Sequence, residues 1–277
     1  MFKRDLAFHP PLMNAAGTLG FAPDFRAPVP WETFGAFVTN PISLRPRLPA
    51  ASPALVEYPG GFLLHTGLPN PGLPAAIQKY ARRWADARLP VIVHLMADRP
   101  EETRRMAQAL EELENIAALE LGFAPGLSDD LILLTIEICL GELPLIACLP
   151  VEQVLSLGPR AVQAGAAAIS LAAPRGMIPL PPASPHFRFT SGNVSRTLES
   201  ENGGNKREVT GRLSGAGLFP QALLAVRDAV RANLTVIGAG GVQSKGNAEA
   251  MLLAGATAVQ VDESLWKGTF SAAVRAA

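Results

Sequence analysis

Residues 236–261 read VIGAGGVQSKGNAEAMLLAGATAVQV and contain one complete strand–helix–strand unit. An apolar run at Leu234–Gly238 is followed by a helix-forming stretch at Gly246–Ala254 and by a second apolar run at Ala256–Val261. Neither run alternates polar with apolar residues, which is typical of parallel strands that are buried on both faces. The stretch therefore predicts a βαβ unit within a parallel sheet.

Six more apolar runs of the same kind precede this unit, and helix-forming stretches alternate with them. Eight strand–helix units in 277 residues favour an α/β fold, namely a (β/α)8 TIM barrel that forms a single domain over residues 1–277. A doubly wound open sheet is the alternative. The six runs are Leu12–Ala15, Gly35–Asn40, Pro90–Leu95, Ala117–Phe123, Leu143–Leu149 and Ala166–Ala172. The other helical stretches are Pro100–Leu113, Leu131–Leu140, Val154–Ala164 and Thr269–Ala276.

Two long segments rich in proline and glycine interrupt the repeat. Ser43–Pro74 follows the second apolar run, and Pro174–Gly215 follows the sixth. Loops of this length without regular structure tend to be functional or mobile, and we expect the charged run Glu199–Glu208 to be mobile. Because both segments follow strand ends, they are expected to be long excursions at the C-terminal mouth of the barrel, where barrel active sites are built.

The composition excludes several classes of protein. The 24 basic and 24 acidic residues cancel, so the chain lacks the bulk charge that draws proteins to nucleic acid or to an anionic membrane. Hydrophobic residues make up 48% and charged residues 17%, which excludes a disordered chain. The two cysteines, Cys139 and Cys148, form no CxxC motif, and apolar stretches of about eight residues are too short for a bilayer. We expect a cytoplasmic protein without a metal site.

Seven segments of the sequence, taken together and in order, resemble the motifs of a known protein family. They are Pro11–Gly20 (PLMNAAGTLG), Gly35–Leu44 (GAFVTNPISL), Pro59–Gly72 (PGGFLLHTGLPNPG), Leu89–Val93, Ala118–Gly126 (ALELGFAPG), Leu213–Pro220 (LSGAGLFP) and Val236–Val261. In this order they resemble class 1 dihydroorotate dehydrogenases, oxidoreductases of pyrimidine biosynthesis. The resemblance implies an FMN-binding barrel in which dihydroorotate transfers a hydride to FMN at the mouth while a side-chain base removes a proton.

The resemblance also implies which residues would contact the flavin ring. Ala15, Ala16 and Gly17 stand where the family has Ala-Ser-Gly after the first strand. Asn40 replaces a lysine at the end of the second strand, and Cys148 replaces a lysine that supports the flavin at the end of the fifth. The mouth therefore lacks both flavin-side lysines.

The phosphate of FMN would lie against glycines. Gly240 and Gly241 keep the family's pattern after the seventh strand, and Gly215 belongs to the preceding LSG motif. Glycines at such a turn let main-chain N–H groups approach a phosphate closely. The same glycine pattern is also found in strand-to-helix turns that bind no ligand, so this alternative stays open.

Two carboxylates follow the eighth strand, where the family has Gly-Thr. Asp262 and Glu263 would oppose a phosphate unless they turn outward or pair with Lys245 or Lys267. They could otherwise bind a cation or an amine, or form a solvated turn. The cofactor is therefore FMN by resemblance, or none.

The substrate positions depart from the family as well. The expected substrate-binding segment contains Leu64, His65, Gly67 and Asn70, and Leu64 replaces the first substrate-holding asparagine. The second segment, at the end of the fourth strand, is one residue shorter than in the family.

The family's catalytic base, a cysteine or a serine, is replaced by Ala124. Gly122 and Gly126 replace two substrate-holding asparagines, and Ser128 could act as the base only if the loop were rebuilt. Loss of a general base typically costs ~10²–10⁴-fold in rate. No catalytic residue is therefore assigned, although Glu120 and Cys148 are candidates.

Three hypotheses follow. The first and favoured one is a barrel that has lost the standard reaction and acts as a binding, regulatory or subunit protein for an unknown small molecule, as a homodimer or with a related dehydrogenase. The second is an active FMN-dependent oxidoreductase. The third is changed chemistry at the same mouth, in which alanine at position 120 or 262 would abolish ligand binding and leave stability nearly unchanged. Its candidate residues are Asn14, Asn40, His65, Glu120, Cys148, Asp262 and Glu263.

Overall fold

A computed structural model describes residues 6–51, 54–180 and 207–270, and this part of the chain contains twelve strands and six α-helices. The strands are β1 (Leu12–Asn14), β2 (Phe37–Val38), β3 (Ala54–Tyr58), β4 (Gly61–His65), β5 (Val91–Ala97), β6 (Ile116–Phe123), β7 (Leu145–Pro150), β8 (Ala168–Ala172), β9 (Arg175–Leu180), β10 (Arg207–Ser214), β11 (Val236–Gly238) and β12 (Ala258–Val261). The helices are α1 (Leu73–Ala85), α2 (Pro100–Glu111), α3 (Asp129–Ile138), α4 (Val154–Gln163), α5 (Phe219–Arg231) and α6 (Lys245–Leu253).

Eight of the strands form a nearly closed parallel barrel in the order β1-β12-β11-β8-β7-β6-β5-β2. Each of the eight apolar runs in the sequence overlaps one of these strands, so the predicted (β/α)8 barrel is confirmed. The open doubly wound sheet is wrong, because the first and last strands of the order meet. The predicted runs are longer than β1, β2 and β11, in which only two or three residues belong to the ladder.

A side chain completes the seam between β1 and β2. Met13 and Ala36 form a single parallel bridge across it. Beside that bridge, Asn14 Nδ2 donates a hydrogen bond to the carbonyl oxygen of Val38 at 2.6 Å, and Asn14 Oδ1 accepts one from the N–H of Val38 at 3.0 Å. The buried amide thus replaces the main-chain hydrogen bonds that a longer strand would supply, and Asn14 closes the barrel.

The helices surround the barrel largely as predicted. The helical stretches at 100–113, 131–140, 154–164 and 246–254 correspond to α2, α3, α4 and α6. Helix α3 begins after Ser128, whose Oγ accepts a hydrogen bond from the N–H of Leu131 at 3.4 Å. The predicted C-terminal helix, Thr269–Ala276, lies mostly outside the described residues.

The expectation of loops without regular structure in the two excursions is wrong. The first contains β3 and β4, the second contains β9 and β10, and together they form an antiparallel sheet in the order β3-β4-β10-β9. Apolar side chains from all four strands pack on one another: Val56, Leu63, Ile178, Val209 and Leu213. Neither excursion can form this sheet alone, because its central pair, β4 and β10, joins segments that are distant in sequence. Most of Glu199–Glu208 lies outside the described residues.

Candidate functional site

A layer of polar side chains lies inside the barrel, above an apolar layer. Inward-facing residues recur at every second position of a barrel strand. The apolar layer includes Ile92, Ala118, Ile146, Ala168 and Ala258. Two residues further along the same strands stand His94, Glu120, Cys148, Ser170 and Gln260. The strand period thus brings five polar side chains to the C-terminal half of the barrel interior.

Glu120 is the centre of this polar layer. Its Oε2 lies 2.6 Å from His94 Nδ1, and its Oε1 accepts hydrogen bonds from Ser170 Oγ at 2.6 Å and from Gln260 Nε2 at 2.7 Å. Burial opposes the negative charge, but the hydrogen bond and charge of His94, together with the other two donors, hold the pKa of Glu120 below its usual value. Glu120 is therefore a buried carboxylate with three hydrogen-bonding partners.

Gly122 provides the space that the imidazole of His94 takes. A Cβ added to Gly122 would lie 2.3 Å from His94 Nε2, closer than non-bonded atoms approach. A side chain at position 122 and an imidazole at position 94 therefore exclude each other. The absence of a side chain at Gly122 accommodates the histidine on the neighbouring strand.

Cys148 lies in register between Gly122 of β6 and Ser170 of β8. Burial, and then the charge of Glu120, raise the pKa of the Cys148 thiol far above its usual value. The side chain is nevertheless half-buried rather than sealed. Cys148 therefore lies at the C-terminal end of the barrel interior, where it is partly exposed, and it carries a neutral thiol near pH 7.

Strand β10 places a cation over this mouth. The Nη2 and Nη1 atoms of Arg212 lie 3.5 and 3.7 Å from the position that a Cβ on Gly17 would occupy. Burial lowers the pKa of Arg212, as does the charge of Arg175, whereas Cys148 and Asp262 raise it. Over residues 6–51, 54–180 and 207–270, no carboxylate oxygen lies within 4.0 Å of the Arg212 guanidinium.

Asp262 and Glu263 form a buried acid pair after β12. Burial, and then the hydrogen bond and charge of Glu263, raise the pKa of Asp262 well above its usual value. Gln243 Nε2 donates to Glu263 Oε1, whereas Asp262 Oδ1 and Glu263 Oε2 are buried without a hydrogen-bond partner among the described residues. Neither lysine relieves the pair: Lys245 pairs within its own helix at 3.7 Å, and Lys267 lies over an aromatic ring.

Of the three glycines of the expected phosphate site, Gly215 and Gly241 pack against main chain, whereas a Cβ on Gly240 would lie 3.2 Å from the side-chain Cβ of Ala222. Gly215, Gly240 and Gly241 have φ values of +134°, +105° and +69°. A Cβ on Gly215 would lie 2.3 Å from Gly61 Cα and 2.4 Å from the carbonyl oxygen of Gly60, in the turn between β3 and β4. A Cβ on Gly241 would lie 2.9 Å from the carbonyl oxygen of Gly215. The main chain therefore approaches Gly215 and Gly241 closely.

The expected substrate-binding residues are divided between a strand and a loop. Leu64 and His65 belong to β4, where Leu64 pairs in register with Arg212. Gly67, with φ +76°, and Asn70 follow in the loop before α1. Asn70 Oδ1 accepts three hydrogen bonds from neighbouring loop groups at 3.0–3.2 Å, and its Nδ2 donates to a carbonyl at 3.2 Å. The amide of Asn70 thus holds the loop together.

The remaining expected residues lie at strand ends around the mouth. Ala15 and Ala16 follow β1, Ala124 follows β6, and all three are half-buried. Asn40 follows β2, and its Oδ1 accepts a hydrogen bond from the N–H of Gly20 at 3.1 Å. These positions form part of the rim and supply no titratable side chain.

Sequence reasoning missed Arg212, Ser170 and Gln260. Ser170 and Gln260 carry a recognisable signal, since each is a polar residue at an inward position of an otherwise apolar strand. Arg212 carries no such signal. It lies in a segment expected to be a loop, and only the pairing of β10 with β4 directs it toward the barrel.

Among residues 6–51, 54–180 and 207–270, no three His, Cys, Asp or Glu side chains lie close enough together to hold a metal ion. In the same part of the chain, no helix is long and apolar enough to cross a membrane. One cavity of about 290 Å³ lies on the outer surface beside Arg104 and Leu140, away from the polar layer. The barrel mouth remains the candidate site.

The fold and this site define a (β/α)8 barrel protein with a layer of polar side chains toward the C-terminal ends of its strands. The family model for dihydroorotate dehydrogenase matches residues 4–124 and 189–275. The chain belongs to the dihydroorotate dehydrogenase family. The unmatched stretch between these segments contains β7, β8 and β9.

Relatives with similar sequences are named as catalytic subunits. The chain is 34% identical over 266 residues to dihydroorotate dehydrogenase B (NAD(+)), catalytic subunit, from Pelobacter propionicus. The aligned region covers 91% of this chain and 82% of the relative. The proteins of the same name from Trichlorobacter lovleyi and Geotalea uraniireducens are each 32% identical, with the same coverage.

Proposed function

We propose that this family member does not catalyse FMN-dependent oxidation of dihydroorotate and works instead as a binding, regulatory or subunit protein. The observation that carries the proposal is the end of β6, where Ala124 stands at the family's base position. Alanine cannot accept a proton, and general base catalysis contributes ~10²–10⁴-fold to rates. The nearby alternatives are occupied: Ser128 caps α3, and Cys148 retains its proton.

The residues at the mouth also fit FMN poorly. The guanidinium of Arg212 lies against Gly17, where the family resemblance would put the flavin ring. Asp262 and Glu263 are buried where it would put the phosphate. A carboxylate about 4 Å from a phosphate costs on the order of 4 kcal/mol at an effective dielectric constant near 20. We therefore derive no reaction step through a flavin.

Changed chemistry is the second candidate function, and the His94–Glu120 contact at 2.6 Å favours it. A carboxylate that orients an imidazole is a common arrangement for acid–base catalysis. This candidate requires that any activity found for the wild-type protein be lost in His94→Gln and kept in Ser156→Ala, an exposed control on α4.

We further propose a cytoplasmic protein that forms a homodimer or associates with a related dehydrogenase. Cys139 and Cys148 are both free thiols, as expected in a reducing compartment. The names of the relatives, which describe catalytic subunits of a larger enzyme, support an assembly. Light scattering of the protein alone, and after mixing with a dihydroorotate dehydrogenase B subunit, tests both forms; a monomer in both samples contradicts the proposal.

Flavin content and activity test the main proposal together. The visible absorbance of the purified protein is measured before and after incubation with excess FMN and removal of the free fraction. Dihydroorotate-dependent reduction of NAD+ and of a dye is assayed for the wild type and for Ala124→Cys, which restores the family base. We expect no flavin and no activity in either protein. Bound FMN with dihydroorotate oxidation by the wild type would show the proposal to be wrong.

A further inference from the structure

A groove lies on the outer surface of the barrel, between α2 and the end of α3. Its volume is about 290 Å³, close to the lower end of the range for small-molecule sites. Arg104, Ala107, Gln108 and Glu111 of α2 line one side, and residues 138–141 line the other. Ala107 and Cys139 are buried, so they form the floor of the groove, and the other side chains of α2 form its wall.

Three polar side chains follow one another along this wall in the order cation, amide, anion. Arg104, Gln108 and Glu111 are spaced i, i+4 and i+7, which places them on one face of the helix. At about 1.5 Å per residue, Arg104 and Glu111 are separated by about 10 Å along the helix axis. The groove therefore has a positive end, a neutral polar middle and a negative end.

The negative end is held in place by the turn after α3. Glu111 Oε1 accepts a hydrogen bond from the N–H of Glu142 at 3.0 Å, in the space left by the absent side chain of Gly141. In the described part of the chain, no Lys, Arg or His nitrogen lies within 4.0 Å of the Glu111 carboxylate, and the carbonyl oxygens of Ile138 and Cys139 accept no main-chain hydrogen bond. The carboxylate and the C-terminal end of α3 thus offer acceptors to an ammonium group.

Arg104 forms the positive end. Its Nη1 lies 4.0 Å from Glu101 Oε2, and an ion pair of this length between exposed side chains is weak. Burial raises the pKa of the Cys139 thiol to about 12, and the charge of Arg104 acts against this rise, so the guanidinium lies near the floor of the groove. A guanidinium in this position can bind a carboxylate through two parallel N–H···O hydrogen bonds.

We propose that this groove binds a short linear peptide of about three residues by both of its charged ends. An extended peptide spans about 3.3–3.6 Å per residue, so three residues match the separation of about 10 Å between Arg104 and Glu111. Arg104 binds the C-terminal carboxylate, and Glu111 with the end of α3 binds the N-terminal ammonium group. The amide of Gln108, which both donates and accepts hydrogen bonds, faces the peptide bonds between them.

The test is a titration of isotope-labelled protein, followed in proton–nitrogen correlation spectra. The probes are triglycine, N-acetyl-triglycine, triglycinamide and glycine, each up to about 20 mM, which detects dissociation constants in the millimolar range. Acetylation removes the ammonium group of triglycine, and amidation removes its carboxylate. We expect triglycine to bind with a dissociation constant of a few millimolar and to shift the amide signals of Gly141 and Glu142. The three other probes should bind at least about threefold more weakly.

Four variants connect each end of the peptide to one side chain. Arg104→Gln should weaken triglycine binding at least about threefold and leave triglycinamide binding unchanged. Glu111→Gln keeps an oxygen acceptor for the N–H of Glu142; it should weaken triglycine binding to a similar extent and leave N-acetyl-triglycine binding unchanged. The matched controls are Arg105→Gln and Glu112→Gln, which remove the same charges from exposed neighbours on α2 outside the groove, and each should change triglycine binding by less than about 1.5-fold. The same spectra show whether each variant is folded.

Three outcomes would overturn the inference. The first is the absence of any shift at Gly141 and Glu142 with triglycine, and the second is a capped peptide that binds as tightly as triglycine. The third is triglycine binding by Arg104→Gln or Glu111→Gln that is as tight as binding by its control. The groove lies on the outer helices, away from the barrel mouth, so these results are independent of flavin content and of dihydroorotate oxidation, and the proposed function stands or fails separately.

Discussion

Replacing Glu120 with leucine should strongly destabilise the barrel. The substitution removes the acceptor for His94 Nδ1, Ser170 Oγ and Gln260 Nε2, and Glu120 itself is 1% exposed. Each buried donor left without a partner costs about 1–3 kcal/mol, which gives about 3–9 kcal/mol for three. Burial of the leucine side chain returns about 1–2 kcal/mol. Against a typical total of about 5–15 kcal/mol, the variant should fold marginally.

Ser170→Ala measures one part of the same network. It removes a single hydrogen bond to a charged acceptor and should cost about 1.5–3 kcal/mol. Ser156→Ala is the control, because its exposed hydroxyl donates only to a local carbonyl, and it should change stability by less than about 0.5 kcal/mol. Urea unfolding, followed by far-UV circular dichroism and by tryptophan fluorescence, to which the buried Trp84 contributes, gives the free energies of unfolding.

The pH dependence provides a second readout. The pKa of Glu120 is lower in the folded than in the unfolded chain, so the unfolded chain binds more protons between the two values. Its stabilising contribution is present above the unfolded-state pKa of about 4.3 and is lost as the pH falls through the folded-state pKa. The free energy of unfolding of Glu120→Leu should lack this pH-dependent contribution. The reasoning is refuted if Glu120→Leu loses less than about 1 kcal/mol, or if Ser170→Ala costs no more than its control.

Three other predictions concern the same region. Gly122→Ala should cost about 1–3 kcal/mol because its Cβ meets His94 Nε2, and adding His94→Ala should recover most of that loss; equal stability of Gly122→Ala and wild type in urea would exclude the steric conflict. Neither thiol should react within minutes with a disulfide reagent near pH 7, because burial raises the pKa of Cys139 to about 12 and that of Cys148 even further; one fast equivalent under native conditions would contradict this. Asp262→Asn should stabilise the protein at pH 7 by on the order of 1 kcal/mol. The folded-state pKa of Asp262 is raised, so its penalty is absent at acid pH and grows above the unfolded value of about 3.9; equal pH profiles for variant and wild type would count against the buried acid pair.

The burial of Glu120 changes one expectation drawn from the sequence. Changed chemistry at the mouth predicted that Glu120→Ala would leave stability nearly unchanged, as expected for a free side chain in a pocket. Glu120 instead holds three partners inside the barrel. Its substitution therefore cannot separate a binding role from a structural one.

The barrel strands were readable from the sequence because each is buried on both faces. Runs such as Pro90–Leu95 and Ala166–Ala172 are apolar at nearly every position, and eight of them at βα spacing fit few folds. The second sheet was not readable, because β4 and β10 lie about 150 residues apart and pair only when the barrel brings both excursions to one end. The alternation of polar and apolar residues in β3 and β9 is too short to predict that the two excursions pair with each other.

The sequence by itself determined the barrel and the family, because these depend on residue type and order along the chain. Tertiary structure alone decided how the polar residues act. It joined His94, Glu120, Ser170 and Gln260 into one network, made Gly122 the space for an imidazole, and directed Arg212 from a second sheet onto Gly17. The physical reason is that hydrogen bonds and charge interactions depend on distances between atoms, and residues far apart in sequence acquire those distances only when the barrel closes.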